Sequence, residues 1–573
     1  MAPKARRFFF IFLLLFVIFF SFSTNVVRRQ RGGFISDESS YFSIIQSLVY
    51  DQDIRYTRED IQRIREQFWV GPQGLFLKKG KDGGLFYAKS FAYPLFAAPF
   101  FWLFRIHGLL LFNGLMVFLT IVLSYLLLKR YHPPGNSFSF ALMFIGGSIA
   151  WMYIWWMTAD LFNFFTVFMA LFFFFYPFKQ GRLFYLSGFF WAAAIFSKPT
   201  NVVTAGVVML ILLYRKQWKR FLILSLITLC LLSAAVYFYY SQTGQANFMG
   251  GERRSFYYEF PYEKPGYSFE SGFSMTADTY WQRFYLTPEI AILNLFYFFF
   301  GRFTGIFIYF FPAVFLLALF CIQKKEAEDW FIGVAIFWSV ATLIILDPEN
   351  YFGGAGSLGN RYFLNLYPLF FYMGLKNRSF RFPAVPILAA AIFLSPMIMD
   401  TLEHSAYPGT AAKAFPIKLF PAEKTQFKTL PSNVNPRAYD RPIVSGESRY
   451  WLYLINDNFN PIENNEIWTY GRNELEFFLV APKRVREFIV EFANIPLANR
   501  VTFQIEQKRA DIRLRANEKV IIPFKKIAGL KVDRGYIYHV KIKSEKEYTP
   551  FFQERGNEDR RLLGIRTRIE LGY

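Results

Sequence analysis

The chain has 573 residues, of which 54% are hydrophobic and 21% aromatic, and its formal net charge is +22 at pH 7. Apolar runs of about 20 residues, long enough to cross a bilayer as helices, recur through the first 400 positions, and a soluble fold could not bury them all. Much of the basic excess falls in short loops between these runs, so membrane topology explains it and no nucleic-acid partner is predicted. Cys230 and Cys321 both lie in apolar segments, which excludes a disulfide framework.

The apolar runs predict a polytopic α-helical membrane protein with about eleven transmembrane helices. A basic stretch at residues 4–7 precedes the first run without a small-residue cleavage site after it, which favours a retained span over a signal peptide. Basic residues in the later short loops alternate onto one side, the cytoplasmic side by the positive-inside rule. The N-terminus is then cytoplasmic, and the long segments 25–105, 241–300 and 401–573 are extracytoplasmic. The predicted spans lie near 8–24, 106–128, 138–155, 160–177, 183–197, 200–214, 220–240, 303–322, 330–346, 361–375 and 383–400.

The first outer loop, residues 25–105, begins with two adjacent carboxylates, Asp37 and Glu38, directly after Ser36. Serine is a favoured N-cap residue, so a helix is predicted to start here. The pattern predicts an amphipathic helix on the membrane surface with an acidic pair at its head, which suits a lipid-borne substrate. Alternatively, the two carboxylates only complement the helix dipole, worth about 0.3–1 kcal/mol. The apolar face of this helix comprises Tyr41, Ile44, Ile45, Leu48 and Val49, spaced i, i+3, i+4, i+7 and i+8.

Four further charged residues lie in or beside the predicted outer loops. Lys89 precedes span two at headgroup depth, where it pairs with a lipid phosphate or simply snorkels. Asp160 lies in the short outer turn before span four and either faces a cavity or caps the following helix. Arg361 follows four glycines in the outer loop 347–360, and its guanidinium suits bidentate phosphate binding or membrane anchoring. Arg302 lies at the outer end of another span.

Two other features of the predicted outer face leave their role open. Lys198 adds a cation in the turn between spans five and six. The second long loop mixes Arg253 and Arg254 with many Tyr and Phe residues, which suits sugar and phosphate binding and equally a loop resting on the membrane interface.

The composition changes near residue 401. Segment 401–445 has scattered prolines and reads as a linker, and residues 446–573 predict an extracytoplasmic antiparallel β-sandwich or barrel. The sequence contains no Walker loop, nucleotide fingerprint or Cys/His zinc spacing, so no cofactor is predicted and nothing indicates a divalent metal. The predicted strands are Glu474 to Val480, Glu487 to Glu491, Val501 to Ile505, Lys519 to Phe524, Tyr536 to Ile542 and Gly564 to Ile569.

The membrane part, residues 1–400, resembles the GT-C superfamily of membrane glycosyltransferases, which place an acidic pair in the loop after the first span. The stretch from Lys89 to Tyr93-Pro94 is similar to the lysine/proline segment of the protein O-mannosyltransferase and aminoarabinose transferase branch. Asp160 resembles the acidic residue at that branch's second outer turn, and Arg361-Tyr362 its late arginine-tyrosine pair. Here the acidic pair is adjacent and lacks the spaced acid-x-acid form with which some members hold a metal.

This resemblance implies a sugar donor linked to a polyprenyl phosphate and an acceptor that reaches the site from outside the cell. We expect Asp37 to act as general base and take the proton of an acceptor hydroxyl as the oxygen attacks the anomeric carbon. Glu38 and Asp160 are expected to orient the acceptor or to raise the pKa of Asp37 toward a useful value. The acceptor can be a protein, a lipid or a glycan.

The leaving polyprenyl phosphate requires cations, for which we expect Lys89 and Arg361, with Arg302 in reserve. The predicted function is thus a glycosyltransferase of the cell membrane, with the bilayer and the lipid-linked donor as partners. One alternative is a non-catalytic protein of envelope glycan assembly that binds glycan through its β-domain. Another is a transporter, for which paired broken helices and charges near the midplane are expected.

Overall fold

The structure, a computed structural model, describes residues 3–25, 34–249, 251–274, 285–354, 356–376, 384–431, 443–445, 450–463, 466–533 and 535–573. Among the described residues, helices dominate the first 400 positions and antiparallel strands dominate the C-terminal part. The helices are α1 Pro3–Ser23, α2 Asp37–Tyr50, α3 Arg58–Phe68, α4 Ala92–Leu128, α5 Pro134–Gly146, α6 Ala159–Phe175, α7 Leu186–Ser197, α8 Asn201–Tyr214, α9 Trp218–Thr243, α10 Pro288–Phe300, α11 Ile306–Tyr309, α12 Phe311–Ile322, α13 Ala327–Leu346, α14 Arg361–Leu364, α15 Tyr367–Tyr372, α16 Ala384–Phe393, α17 Ser395–Met399, α18 Thr401–Ala406, α19 Pro408–Ala411 and α20 Pro550–Gln553.

Four described helices, α1, α4, α9 and α13, are long and apolar enough to cross a membrane. A fifth candidate results if α5 and the 3₁₀ helix Ile149–Trp155, bent from it by 57°, count as one span. Shorter apolar helices, among them α6 and α8, occupy other predicted positions, so the predicted count of about eleven full-length spans is not confirmed. The apolar runs contain helix breakers, and the predicted span 361–375 is divided into α14 and α15 just before Pro368.

The loops meet at two ends of the helical part, as the alternation of basic residues predicts. At one end, Arg130 donates to the Tyr176 hydroxyl at 2.7 Å, and Lys376 pairs with Glu326 at 2.6 Å. All of these residues lie in or beside loops predicted to be cytoplasmic. The loops predicted to be extracytoplasmic converge at the other end, where the candidate site lies.

Helix α2 begins at Asp37, which confirms the predicted helix, but it is not a surface helix. It packs against α3, α4 and the strand Gln73–Lys79, and Ser39 through Ser47 are all buried. Ser36 occupies the N-cap position at φ 57°, outside the extended region that capping requires, and its side chain makes no capping bond. The acidic pair is therefore inside the protein rather than on a membrane-surface helix.

A small antiparallel sheet joins the two long loops of the membrane part. Its strands are β1 Gln73–Lys79, β2 Leu85–Tyr87, β3 Arg254–Tyr257 and β4 Phe273–Ser274, in the order β2-β1-β3-β4. Phe76 of β1 is opposite Ser255 of β3 in this sheet. The pairing brings the second long loop beside Lys89, which follows β2.

The C-terminal β-domain, residues 443–573 where described, is a sandwich of two antiparallel sheets. The strands are β5 Ile443–Ser445, β6 Tyr450–Leu454, β7 Ile467–Tyr470, β8 Leu475–Ala481, β9 Glu487–Asn494, β10 Asn499–Ile505, β11 Lys508–Leu514, β12 Lys519–Lys525, β13 Leu530–Val532, β14 Gly535–Ser544 and β15 Leu563–Gly572. One sheet has the order β11-β10-β14-β8-β6-β5, with β13 paired to β14, and the other has the order β12-β9-β15-β7. Aromatic rings pack between the sheets, with the centroids of Phe488 and Tyr538 4.8 Å apart. All six predicted strands are confirmed.

Residues 401–431, which we call the docked segment, connect the two parts. They hold α18, α19 and two 3₁₀ helices, and Ala411, Ile417 and Phe427 are buried in the core that the membrane helices form. Most of the rest of the predicted linker, residues 432–442, lies outside the described residues. The described part of the predicted linker is thus packed against the helices, while the predicted domain boundaries stay a prediction.

Candidate active site

Asp37 at the start of α2 lies between two cations from distant parts of the chain. Its Oδ1 is 2.7 Å from Lys89 Nζ, and its Oδ2 is 3.1 Å from Arg361 Nη1. The three side chains are only 16%, 10% and 20% exposed, respectively. Because two cations meet one carboxylate in a largely buried place, the group is suited to receive a further anion.

These two cations also decide the protonation of Asp37. Burial alone raises the pKa of this carboxyl, but Lys89 and Arg361 outweigh burial and hold the pKa well below its usual range. We expected a neighbouring carboxylate to raise this pKa, and the shift has the opposite direction because the nearest charges are positive. In this state Asp37 is a firmly ionised ion-pair partner and a weak base.

The other two predicted carboxylates border the same place through the turn before α6. Asp160 Oδ2 lies 4.0 Å from Arg361 Nη1 and accepts a hydrogen bond from Thr158 Oγ1 at 2.9 Å. Glu38 Oε1 accepts a hydrogen bond from the Met157 backbone N–H at 3.0 Å. The N-cap position of α6 is Thr158, so Asp160 does not hold the capping position considered for it and faces Arg361 instead.

The outer loop 347–360, which we call the glycine loop, is folded closely around the Arg361 side chain. Gly353 has φ +104°, and a Cβ built there would lie 2.4 Å from Arg361 Nε. The Arg361 backbone N–H donates to Phe352 O at 3.1 Å. The backbone at position 353 can approach the guanidinium this closely because glycine has no Cβ, which would otherwise collide with the Arg361 side chain.

A cavity of about 380 Å³ opens beside these residues. Its volume is in the range of small-molecule sites, about 300–1,000 Å³. Four parts of the chain form its walls: the start of α2, the turn before α6, the glycine loop and the docked segment. The lining residues are Ile35, Ser36, Asp37, Glu38, Trp156, Thr158, Gly353, Gly354, Gly356, Arg361, Ser405, Ala406 and Pro408.

Two cations that we noted in the sequence without assigning them a role border this site. Lys198 Nζ lies 4.2 Å from the ring centroid of Tyr362, whose ring also contacts the Arg361 guanidinium at 5.5 Å. Burial lowers the pKa of Lys198 to about 8. Its position in a short turn between apolar runs was the available signal, but nothing local in the sequence showed that the turn meets Tyr362.

Arg253 is the second of these cations. Its guanidinium lies 5.5 Å from the Phe76 ring centroid, and Lys89 Nζ lies 4.7 Å from the same centroid. Arg253 and Lys89 therefore share one aromatic ring although they are 164 positions apart in the chain, and the β1–β3 pairing brings them together.

Arg302, the reserve cation for the donor phosphate, belongs to a different group of residues. Its Nη1 and Nη2 donate to Glu476 Oε2 and Oε1 at 2.6 and 3.0 Å, and its Nε donates to Phe420 O at 2.8 Å. Since the guanidinium is buried and bound to Glu476 and Phe420, it could bind a phosphate only by breaking an ion pair. We therefore withdraw Arg302 as a phosphate ligand.

In the described part of the chain, no group of three or more His, Cys, Asp and Glu side chains is arranged to hold a metal ion. The three acidic residues of the site are instead each bound to a cation, a hydroxyl or a backbone N–H. The prediction that the protein uses no metal stays a prediction.

Comparison with known proteins gives a distant structural likeness and no sequence match. No model of a known protein family and no curated protein sequence matches the chain. Its structure is similar to two crystal structures of ArnT from Cupriavidus metallidurans, one bound to undecaprenyl phosphate and one in the apo state, each at 14% identity and a TM-score of 0.39. The matches cover 68% and 70% of this chain and 60% and 62% of those chains, so this chain spans about three fifths of their length. A match at this level does not determine which reaction a protein catalyses. The function is therefore inferred from the residues of the site.

Proposed function

We propose that the protein transfers a sugar from a polyprenyl-phosphate-linked donor to an acceptor hydroxyl, in the cavity beside Asp37. The supporting observation is the buried contact of Asp37 with Lys89 and Arg361 at the loop end of a bundle of apolar helices. Cations held at such a position suit a phosphate whose lipid chain lies in the bilayer. The adjoining cavity leaves room for the sugar and the acceptor.

The donor phosphate binds Lys89 and Arg361. In the resting protein the Asp37 carboxylate takes the place between these two cations that phosphate oxygens would take. Arg361 Nε is buried, and within the described residues it has no hydrogen-bond partner, so the guanidinium keeps unused donor capacity beside its contact with Asp37. Guanidinium and ammonium groups are the residue types that bind phosphate in this way.

Donor binding also changes Asp37. When the phosphate engages the two cations, they lower the pKa of Asp37 less, and the effect of burial, which favours the protonated form, gains weight. The carboxylate thereby becomes a stronger base. The protein thus acquires its base only after the donor is in place.

The reaction then proceeds as a single displacement. Asp37 accepts the proton of the acceptor hydroxyl, and the hydroxyl oxygen forms a bond to the anomeric carbon of the sugar. The bond between that carbon and the phosphate oxygen breaks, and polyprenyl phosphate leaves with the bonding electrons. Lys89 and Arg361 stabilise the charge that develops on the phosphate. Glu38, which lines the cavity, orients the acceptor, and Asp160 supports it from behind through Thr158 and Arg361.

The proposed location is the cell membrane, with the N-terminus in the cytoplasm and the β-domain and cavity on the extracytoplasmic side. This orientation rests on the basic loops. The sugar and the acceptor, whether protein, lipid or glycan, are left open by the residues of the site.

Sugar transfer by the purified protein in nanodiscs tests this proposal. A panel of undecaprenyl-phosphate sugars is supplied with candidate acceptors, and release of undecaprenyl phosphate is measured. We expect release by the wild type and by Asp51→Asn, a carboxylate at the far end of α2 that also pairs with an arginine, but none by Asp37→Asn. Turnover by Asp37→Asn would disprove the assigned base. A protein that neither binds nor turns over any donor would favour the non-catalytic glycan-binding alternative.

A further inference from the structure

The β-domain is joined to the membrane part by a buried ion pair. Arg302 lies in the turn 301–305 between α10 and α11, and Glu476 lies on β8. Each side chain is only 5% exposed. His539 Nε2 lies 2.8 Å from Glu476 Oε1, so this carboxylate is held from its own domain as well.

The docked segment forms a second connection to the β-domain. Lys424 pairs with Glu506, whose Oε1 also accepts a hydrogen bond from the His539 backbone N–H at 2.7 Å. Lys413 Nζ lies 2.9 Å from Asp457 Oδ1. The β-domain therefore holds both the turn 301–305 and the docked segment.

The turn 301–305 supports the glycine loop at two places, directly at Tyr351 and through Tyr309 at Gly359. Thr304 Oγ1 lies 3.1 Å from the Tyr351 hydroxyl, close before Gly353. The Arg302 carbonyl accepts a hydrogen bond from the Tyr309 hydroxyl at 2.8 Å. Gly359, just before Arg361, packs against the ring of Tyr309, since a Cβ there would lie 2.9 Å from Tyr309 Cγ.

The docked segment holds the start of the same loop. Gln426 Nε2 donates to Pro348 O at 2.6 Å. Lys428 Nζ pairs with Glu349 Oε2 at 2.8 Å, and Thr429 Oγ1 donates to Glu349 O at 2.9 Å. A loop with four glycines has more backbone freedom than most and requires such external contacts to keep one conformation.

We propose that the β-domain holds the glycine loop in place, and that Arg302 and Glu476 are positioning residues that fix Arg361 at the candidate active site. For the role of Arg361 in phosphate binding, the inference rests on the proposed function. It assigns the β-domain a part in building the site, and it gives a role to Arg302, which is not among the residues that line the cavity. Removing one partner of a buried pair leaves an uncompensated charge, so the contact cannot simply relax.

The test compares Glu476→Gln with Glu466→Gln in the full chain in nanodiscs. Glu466 pairs with Arg566 at 3.1 Å within the β-domain, which makes it a matched control. Hydrogen–deuterium exchange of residues 347–361 and the affinity for undecaprenyl phosphate are measured for each variant. We expect Glu476→Gln to speed exchange in this loop several-fold and to weaken binding about 3- to 10-fold, in proportion to the lost population of the ordered loop. We expect Glu466→Gln to do neither.

Further variants separate positioning from direct contact and from loss of folding. Because Arg302 and Glu476 act as one unit, Arg302→Gln with Glu476→Gln should weaken binding no more than either change alone. Arg302→Lys keeps the positive charge, so its exchange rate in residues 347–361 and its affinity for undecaprenyl phosphate should lie between those of the wild type and of Glu476→Gln. This milder variant keeps the test usable if Glu476→Gln folds poorly.

Weaker binding in Arg302→Gln but not in Glu476→Gln would overturn the proposal, because Arg302 would then contact the phosphate itself. Unchanged exchange in Glu476→Gln would also overturn it. If the wild type binds no undecaprenyl phosphate, the proposed function fails, while the exchange measurement still decides the positioning role.

Discussion

Lys89 Nζ and Asp37 Oδ1 lie 2.7 Å apart, although Lys89 precedes the second predicted span and Asp37 follows the first. The contact fixes one cation of the site and keeps Asp37 ionised at the same time. It also places a protein carboxylate where a donor phosphate is proposed to bind. The donor phosphate must therefore replace the Asp37 carboxylate at Lys89 when it binds. This replacement can be measured as lipid binding, without knowledge of the acceptor.

Loss of Lys89 should weaken donor binding strongly. A hydrogen bond to a charged group is worth about 1.5–3 kcal/mol, so Lys89→Met should raise the Kd for a polyprenyl phosphate about 10- to 100-fold. Binding is measured on protein in nanodiscs with a labelled lipid. Lys79→Met, an exposed lysine of the same loop, is the control and should bind like the wild type. Equal affinities of Lys89→Met and wild type would remove Lys89 from the phosphate site.

Gly353→Ala should damage the site more than the same change three positions later. An alanine at φ +104° is strained by about 1–3 kcal/mol, and its Cβ would push the Arg361 side chain away. We expect a lower Tm and weaker lipid binding for this variant. Gly356→Ala has no atom within 4 Å of the new Cβ and should change both quantities little. Similar behaviour of the two variants would show that the close approach of Gly353 to Arg361 does not shape the site.

Lys198 should make donor binding depend on pH. Burial lowers its pKa to about 8, so the ammonium is lost as the pH rises through about 8, and affinity for the phosphate should fall there. A phosphate monoester, with its second pKa near about 6, is already doubly charged in this range. Titration of polyprenyl phosphate binding from pH 7 to 9.5 checks this, and Lys198→Arg should remove the decline. A decline of the same size in Lys198→Arg would assign it to another group.

The same shift predicts the pH dependence of folding stability. An unfolded lysine keeps its proton up to about pH 10.5, whereas the folded Lys198 loses it near pH 8. Between these values the unfolded chain binds more protons, so the free energy of unfolding contributed by this group rises with pH. Thermal unfolding of Lys198→Met and wild type should therefore differ most near pH 7 and converge toward pH 10.

Much of the β-domain was predictable because its signals are local. Alternation of apolar and polar residues between turn residues marked β8, β9, β10, β12, β14 and β15. Helix α2 was found by its spacing, but its burial was not. The residues opposite its apolar stripe include four serines, which look solvent-facing in a sequence. In the fold Ser40, Ser43 and Ser47 donate inside the protein, as when Ser43 Oγ donates to Ser39 O at 2.8 Å.

The candidate site was predictable as a set of charged residues but not as a geometry. Asp37 is predicted from its place at a helix start after the first apolar run, Lys89 from its place before the second span, and Arg361 from the glycines that precede it. Their direct contact, and with it the lowered pKa of Asp37, depends on how the first outer loop folds and on its meeting the loop before Arg361. Arg302 is predicted only as a reserve cation at the outer end of a span, and its partner, Glu476, lies 174 positions away. The short strands of the β1–β4 sheet come from two distant loops and carry no strong local pattern.

In the proposed mechanism Asp37 and the donor phosphate compete for Lys89 and Arg361. Undecaprenyl phosphate binding and sugar transfer, measured in parallel for Asp37→Asn and wild type, test this competition. Removal of the carboxylate charge should tighten binding about 3- to 10-fold, because Asp37 then no longer pairs with the two cations in any protein molecule, while transfer is lost with the base. Weaker or unchanged binding by a folded Asp37→Asn protein would rule out the competition, since it would show that Asp37 does not occupy the phosphate site.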